Sequence, residues 1–290
     1  MEPGNPLHRS PLMGVHLAVM LFGFSGLFGK LLPFSPVFIV LGRTAFAAAS
    51  LFIFALFISR SGLYPSNRKE TFFLILQGLL LAVHWILFFQ SIQISTVAVG
   101  LISFSTFPMF TTLMEPFFFK EKLLLKDIGA ALLVIVGTLL VIPEFDISNH
   151  MTKGVATGIL AGFTFALLTL LNRRNVVRTS AVSTAFYQNL FACLFLLVPA
   201  LLMDRPDPSG REILLLLLLG VFCTGLAHTL FIRSLGYIKA GAASIITGLE
   251  PVWGIVFAFF LLGEVPGIRT MAGGVVIITA SIMAQKDNSN

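Results

Sequence analysis

Residues 249–264 read Leu-Glu-Pro-Val-Trp-Gly-Ile-Val-Phe-Ala-Phe-Phe-Leu-Leu-Gly-Glu, an apolar run with Pro251 near its start and Glu264 at its end. The same two landmarks stand 143 positions earlier as Pro108 and Glu121, and in both copies 13 positions separate proline from glutamate. The offset is about half of the 290 residues, and it also carries Phe88-Phe89-Gln90-Ser91 onto Phe231-Ile232-Arg233-Ser234. Membrane proteins built from two copies of one helical unit usually place a solute site between the copies. The repeat therefore points to transport.

Composition agrees. Charged residues are 11% of the chain against 57% hydrophobic, with mean hydropathy +0.95 and 30 phenylalanines. That balance excludes an ordinary soluble domain. A spanning helix needs roughly 20 apolar residues. Ten stretches are candidates: 12–31, 36–59, 71–91, 96–119, 124–142, 154–171, 182–203, 213–232, 240–262 and 268–284. The fold expected is an all-α integral membrane protein of ten transmembrane helices.

The net charge of +6 reads as topology. With the N-terminus inside, the inner connections hold 13 of the 19 basic residues: Arg9, Arg60, Arg68, Lys69, Lys120, Lys122, Lys126, Arg173, Arg174, Arg178, Arg233, Lys239 and Lys286. The outer connections hold Lys30, Lys153, Arg205, Arg211 and Arg269, and Arg43 lies within a span. Positive-inside asymmetry then puts both termini in the cytoplasm. Cys193 and Cys223 fall in spans, so neither a disulfide framework nor a metal-ligand set is expected. The first apolar run lacks a small-residue cleavage pattern and is expected to stay as the first helix.

The polar stretch 144–153 is the midpoint linker, outside the cell. It divides a first five-helix repeat, 12–143, from a second, 154–285, with a segment 1–11 before and a tail 286–290 after. Because five is odd, the second copy enters from the opposite side, which makes the repeats inverted. Leu21-Phe22-Gly23-Phe24-Ser25 matches Leu160-Ala161-Gly162-Phe163-Thr164, and Gly129 and Gly137 have near counterparts in Gly273 and Gly274. Small residues of this kind let helices approach closely in lipid.

The chain resembles the EamA family of the drug/metabolite transporter superfamily over essentially its whole length. The resemblance is carried by Ala240-Gly241-Ala242-Ala243-Ser244, Leu249-Glu250-Pro251 and Leu261-Leu262-Gly263-Glu264, with a weaker copy from Val97-Ala98-Val99-Gly100 through Pro108 to Lys120-Glu121. It implies ten helices, two inverted repeats, solute transport through a central cavity, and a multi-pass place in a bacterial inner membrane. It implies no particular substrate.

Residues shared by both copies serve the common fold, whereas polar residues found in one copy are better candidates for the solute. Pro108 and Pro251 can each free a backbone carbonyl and kink a helix, as scaffold or as gating hinges. Glu121 and Glu264 sit at helix ends, where capping or ion pairing is expected. Glu250 lies at mid-helix opposite Phe107 in the other copy, and a carboxylate at that depth usually faces a bundle interior or a wet cavity. It can bind an ammonium group, carry a proton or pair with Arg43; a protonated carboxyl bonded to a backbone carbonyl is the structural alternative. Thr247, Trp253 and Gly254 share its face at helical spacing.

Arg43 is the basic residue deepest in a span; it either holds a solute carboxylate or reaches to the membrane surface. His84 and Trp85 lie on the third helix, His84 on one face with Gln77, while Thr224 and His228 share a face of the eighth. The histidines are candidate proton carriers, ligand contacts or interhelix hydrogen bonds. Ser103, Phe107, Thr111 and Glu115 form an i, i+4 stripe on the fourth helix, with Glu115 expected to pair near Lys120 and Lys122. Tyr187, Gln188 and Asn189 interrupt the seventh helix, and Gln188 aligns with Arg43 when Phe46 is matched to Phe191. The substrate-binding candidates are thus Glu250, Arg43, His84, Trp85, Tyr187, Gln188, Thr247 and Trp253, with Glu250 and His84 as candidate proton sites.

The function expected is secondary transport, as an exporter, of a small organic metabolite such as an amino acid or organic amine. The alternatives are a proton-coupled importer of a neutral metabolite (a sugar, nucleobase or cofactor precursor) and, as a different class, a membrane-embedded transferase. No Walker motif, H-E-x-x-H or G-x-S-x-G occurs, so neither direct ATP use nor those enzyme chemistries are indicated. The partners expected are the solute, the lipid bilayer and protons. No cofactor, nucleic acid or oligomer is implied.

Overall fold

A computed structural model describes residues 6–59, 63, 68–119, 125–141, 148–176, 179–238 and 240–285. The helices are α1 (Pro6–Gly26), α2 (Phe28–Leu31), α3 (Pro36–Phe54), α4 (Arg68–Ile94), α5 (Val97–Phe104), α6 (Phe107–Phe119), α7 (Leu125–Val141), α8 (His150–Asn175), α9 (Ala181–Leu201), α10 (Gly210–Gly220), α11 (Ala227–Ser234), α12 (Ala240–Thr247), α13 (Glu250–Leu262) and α14 (Ile268–Gln285). A π-helical turn, Ala55–Ser59, extends α3, and another, Val221–Leu226, joins α10 to α11. No strand occurs among the described residues. Glu121, Lys120, Lys122, the first part of the linker (144–147) and the tail lie outside them.

Seven helical segments among the described residues are long and apolar enough to cross a membrane: Leu12–Leu31, Pro36–Phe57, Arg68–Ile94, Val97–Phe119, His150–Asn175, Ala181–Leu201 and Gly210–Ser234. Three further apolar helices are shorter, Ile128–Val141, Glu250–Leu262 and Ile268–Ala280. The chain is a multi-pass integral membrane protein. Its outward surface is rich in exposed Leu, Phe, Val and Ile, as lipid contact requires. Of the ten expected spans, 240–262 is two helices, as is 96–119.

That break has a physical counterpart. Ser105 and Thr106 separate α5 from α6, and Gly248 and Leu249 separate α12 from α13. Each break residue lies 143 positions from its counterpart, and both broken segments divide into 8 and 13 residues. The prolines follow directly. Pro108 and Pro251 occupy the second positions of α6 and α13, where the missing N–H costs no intrahelical bond. The expected mid-helix kink is therefore a full restart. At the first break, the Ser105 and Thr106 hydroxyls donate to the carbonyls of Leu101 and Ser103, at 3.0 and 2.9 Å, the same carbonyls that accept the backbone N–H groups of these two residues.

Glycines set the helix spacing at matching places. A Cβ on Gly78 would meet Phe191 Cβ at 2.5 Å and the Gln188 carbonyl at 3.1 Å; one on Gly220 would meet Phe46 Cβ at 2.5 Å and the Arg43 carbonyl at 2.8 Å. Gly23 abuts the backbone of Glu250 and Gly254, as Gly162 abuts that of Phe104 and Phe107. Gly137 and Gly273 bring α7 and α14 together. Only hydrogen side chains allow these approaches, and in lipid close packing is what drives association.

Candidate functional site

The restart at Glu250 puts its carboxylate at the first residue of α13, in the middle of the molecule. It faces a small central cavity together with Phe22 and Ser25 of α1, Arg43 of α3, His84, Trp85 and Phe88 of α4, Phe104 of α5, Phe165 of α8 and His228 of α11. Arg43 is 1% exposed and Glu250 3%. Burial of two opposite charges in one enclosed space is costly unless each is compensated. The cavity measures about 20 Å³, room for about one water molecule, so a metabolite requires it to widen.

Arg43 does not reach the membrane surface. Its Nε donates to Thr224 Oγ1 at 2.8 Å, and Thr224 donates in turn to the Leu219 carbonyl at 2.8 Å. Its guanidinium carbon lies 3.8 Å from the Trp85 ring centroid and 5.3 Å from that of Phe89. Cation–π attraction and the hydroxyl thus hold the fork in place. Its Nη1 has no hydrogen-bond partner. No hydrogen bond or ion pair joins Arg43 to Glu250 among the described residues, although both line the same cavity. An unfilled donor and a carboxylate on opposite elements can receive the two ends of a zwitterion.

His84 Nδ1 meets the Ala161 carbonyl at 3.0 Å; a carbonyl only accepts, so Nδ1 carries the proton. The ring packs 4.9 Å from Phe165 and 5.4 Å from Phe104, centroid to centroid. His228 Nε2 lies 2.8 Å from Gln188 Oε1, which leaves it both at the cavity wall and in a buried amide cluster. In that cluster Gln188 Nε2 donates to Gln77 Oε1 at 3.1 Å and to Asn172 Oδ1 at 2.6 Å.

The remaining candidates lie elsewhere. Gln188 touches the cavity only through His228. Tyr187 donates to the Leu63 carbonyl and stacks on Phe191, toward the Arg173 end. Thr247 is buried and donates to the Ala243 carbonyl at 2.9 Å. Trp253 is 39% exposed and stacks on Phe257. Helical spacing from Glu250 to Thr247 fails because the break intervenes, and Trp253 points off the outer side of α13. Phe22, Ser25, Phe104 and Phe165 carry no sequence signal that separates them from other apolar or small residues, although Phe22 and Ser25 sit in the matched motif of the first helix.

Two carboxylates take structural roles. Glu115 pairs with Arg173 of α8, and Arg173 also lies 4.1 Å over Phe119; the lysines expected near Glu115 lie outside the described residues. Glu264 accepts from the backbone N–H groups of Val97 and Ala98 at 3.1 and 3.0 Å, capping α5. A wider cavity of about 440 Å³ lies at the Arg173 end, lined by Phe119, Arg173, Arg174, Val176 and residues 235–238.

Known proteins give this arrangement its context. The EamA-like transporter family matches the chain twice, over residues 9–142 and 152–284. An uncharacterized transporter YxxF of Bacillus subtilis (strain 168) is 24% identical over 267 residues, covering 90% of this chain and 85% of that protein. An S-adenosylmethionine uptake transporter of Rickettsia bellii (strain RML369-C) is 27% identical over 222 residues, 76% of this chain and 75% of that protein. The pseudopaline exporter CntI of Pseudomonas aeruginosa (strain UCBPP-PA14) is 25% identical over 217 residues, 74% and 75%. A solved crystal structure superposes with a TM-score of 0.71 at 14% identity, covering 95% of each chain, which establishes the shared fold. The chain belongs to the EamA-like transporter family.

Proposed function

We propose that the protein is a secondary transporter of a small zwitterionic or cationic organic metabolite, such as an amino acid or organic amine, working by alternating access around the Arg43–Glu250 cavity. The observation that carries this reading is the unpartnered Arg43 Nη1 facing the same enclosed space as the Glu250 carboxylate. Arg43 takes the solute carboxylate, Glu250 its ammonium group, and Trp85 and Phe88 its apolar part. S-adenosylmethionine, named for one set of relatives, carries an amino-acid group of that kind. The proposed architecture is ten crossings in two inverted five-helix repeats with both termini inside. It is supported by the 143-residue spacing of the two breaks and by the matched contacts of Gly78 with Gln188 and Gly220 with Arg43.

A second reading, proton-coupled import of a neutral metabolite, is favoured by the aromatic lining of Trp85, Phe88, Phe104 and Phe165, which suits a planar ring. Glu250 or His84 would then carry the proton. Reconstitution in liposomes separates the two. Saturable uptake of amino acids or amines supports the first reading. Uptake confined to sugars or nucleobases, driven by a pH gradient, replaces it with the second.

A further inference from the structure

We propose that Glu264 is a gating residue: its carboxylate, seated on the first N–H groups of α5, holds the central cavity shut on the Lys30 end. This rests on the transport reading of the cavity. The geometry starts from two helices that leave the cavity in the same direction. α13 begins with Glu250 at the cavity and spans 13 residues, about 20 Å at 1.5 Å per residue. It ends at Gly263, whose φ of 65° is the left-handed cap that glycine adopts without strain, and Glu264 follows. α5 runs the opposite way, from Val97 at the end far from the cavity to Phe104 at the cavity. Glu264 therefore ties the far ends of two helices whose near ends both line the solute site.

Between cavity and surface sits a plug. Leu101 is fully buried one turn beyond Phe104. Its Cδ1 lies 2.0 Å from where a Cβ on Gly254 of α13 would be and 3.4 Å from one on Gly26 of α1. The α5–α13 contact is thus sealed by a leucine against glycines and closed at its rim by the carboxylate. Lys30, on the following α2, reinforces the rim. Its Nζ donates to the carbonyls of Gln93 and Ser95, at 3.3 and 2.8 Å, in the connection that leads into α5. Three connections of the chain converge there through one anion and one cation.

Solute binding at Glu250 loads the first turn of α13. The break at Gly248 and Leu249 frees that helix to tilt separately from α12. A tilt that lifts α13 from α5 pulls Glu264 off the Val97 and Ala98 amides and withdraws the Leu101 plug. Losing the carboxylate should therefore favour the form open at this end.

The test uses Ser25→Cys, a reporter on the cavity wall, in the full-length protein with Cys193→Ser and Cys223→Ser. Labelling by a membrane-impermeant methanethiosulfonate from the Glu264 side is timed, with thermal melting as a control for folding. No transported solute is needed, so a wrong substrate class leaves the result readable. Glu264→Ala should speed labelling at least tenfold, since two charge-assisted hydrogen bonds are lost. Glu264→Asp, which keeps the charge on a shorter arm, should fall between. Labelling rates that stay equal across all three proteins, whether or not melting temperature drops, would overturn the proposal and leave Glu264 as a helix cap alone.

Discussion

Arg43 lies over Trp85, 3.8 Å from guanidinium carbon to ring centroid, on a helix 42 residues earlier in the chain and wholly inside the protein. The ring face, the Thr224 hydroxyl and the Cys223 carbonyl hold three parts of the fork, and Nη1 is left for a ligand. Trp85 thus positions the cation as well as lining the cavity. Trp85→Leu should weaken binding of an amino-acid solute about tenfold, from a desolvated cation–π contact of up to about 2 kcal/mol. Trp85→Phe should recover part of it. Isothermal titration of purified protein checks both; equal affinity in all three would separate the ring from the binding of the cation.

The glycine contacts predict a stability pattern. Gly78→Ala and Gly220→Ala each push a methyl into a neighbouring backbone and Cβ, and should cost roughly 1–3 kcal/mol as overpacked contacts do. Gly267→Ala, with nothing within 4 Å of its Cβ, is the control and should leave melting unchanged. Scanning fluorimetry in detergent reads the difference.

The helix restart at Pro251 predicts a kinetic phenotype. Alanine there supplies an N–H and permits α13 to run back toward Thr247, closing the break. Pro251→Ala should slow turnover several-fold while leaving solute affinity measured at equilibrium nearly intact, because the break lies outside the solute contacts and limits only the conformational step. Lower thermal stability with normal turnover per folded molecule would make the proline a packing element instead.

Orientation is tested at Lys153, an exposed residue of the first turns of α8 that shares its end of the molecule with Glu264. Lys153→Cys should react with an impermeant maleimide in intact cells. Protection there, with reaction in inverted vesicles, would reverse the topology.

Much of this is visible in the sequence, and what is hidden has physical causes. The spacing of Pro108 and Pro251 marks the positions where helices restart, because proline tolerates a helix start and resists an interior. Depth within an apolar run is enough to send Glu250 inward, whereas for Arg43 it leaves a reach to the membrane surface open, and only the contacts with Trp85 and Thr224 place it inside. Thr247 and Trp253 are misplaced by the same rule of helical spacing that works elsewhere: it presumes an unbroken helix, and Gly248-Leu249 breaks it. Phe104 and Phe165 are invisible among 30 phenylalanines, since facing lipid or cavity is decided by helix rotation and not by residue type. Glu264 reads as a capping residue, yet the helix it caps begins 167 positions earlier and no local pattern identifies it.

The central claim is that Arg43 and Glu250 together read the two charges of a zwitterion. It is tested most directly by uptake into liposomes carrying wild type, Glu250→Gln or Arg43→Gln, using an amino acid and its decarboxylated amine as paired solutes. The account predicts that Glu250→Gln abolishes uptake of both. It predicts that Arg43→Gln lowers uptake of the amino acid at least tenfold, the weight of a charge-assisted hydrogen bond, while sparing the amine. Full amine uptake by Glu250→Gln, or equal loss of both solutes in Arg43→Gln, would contradict it.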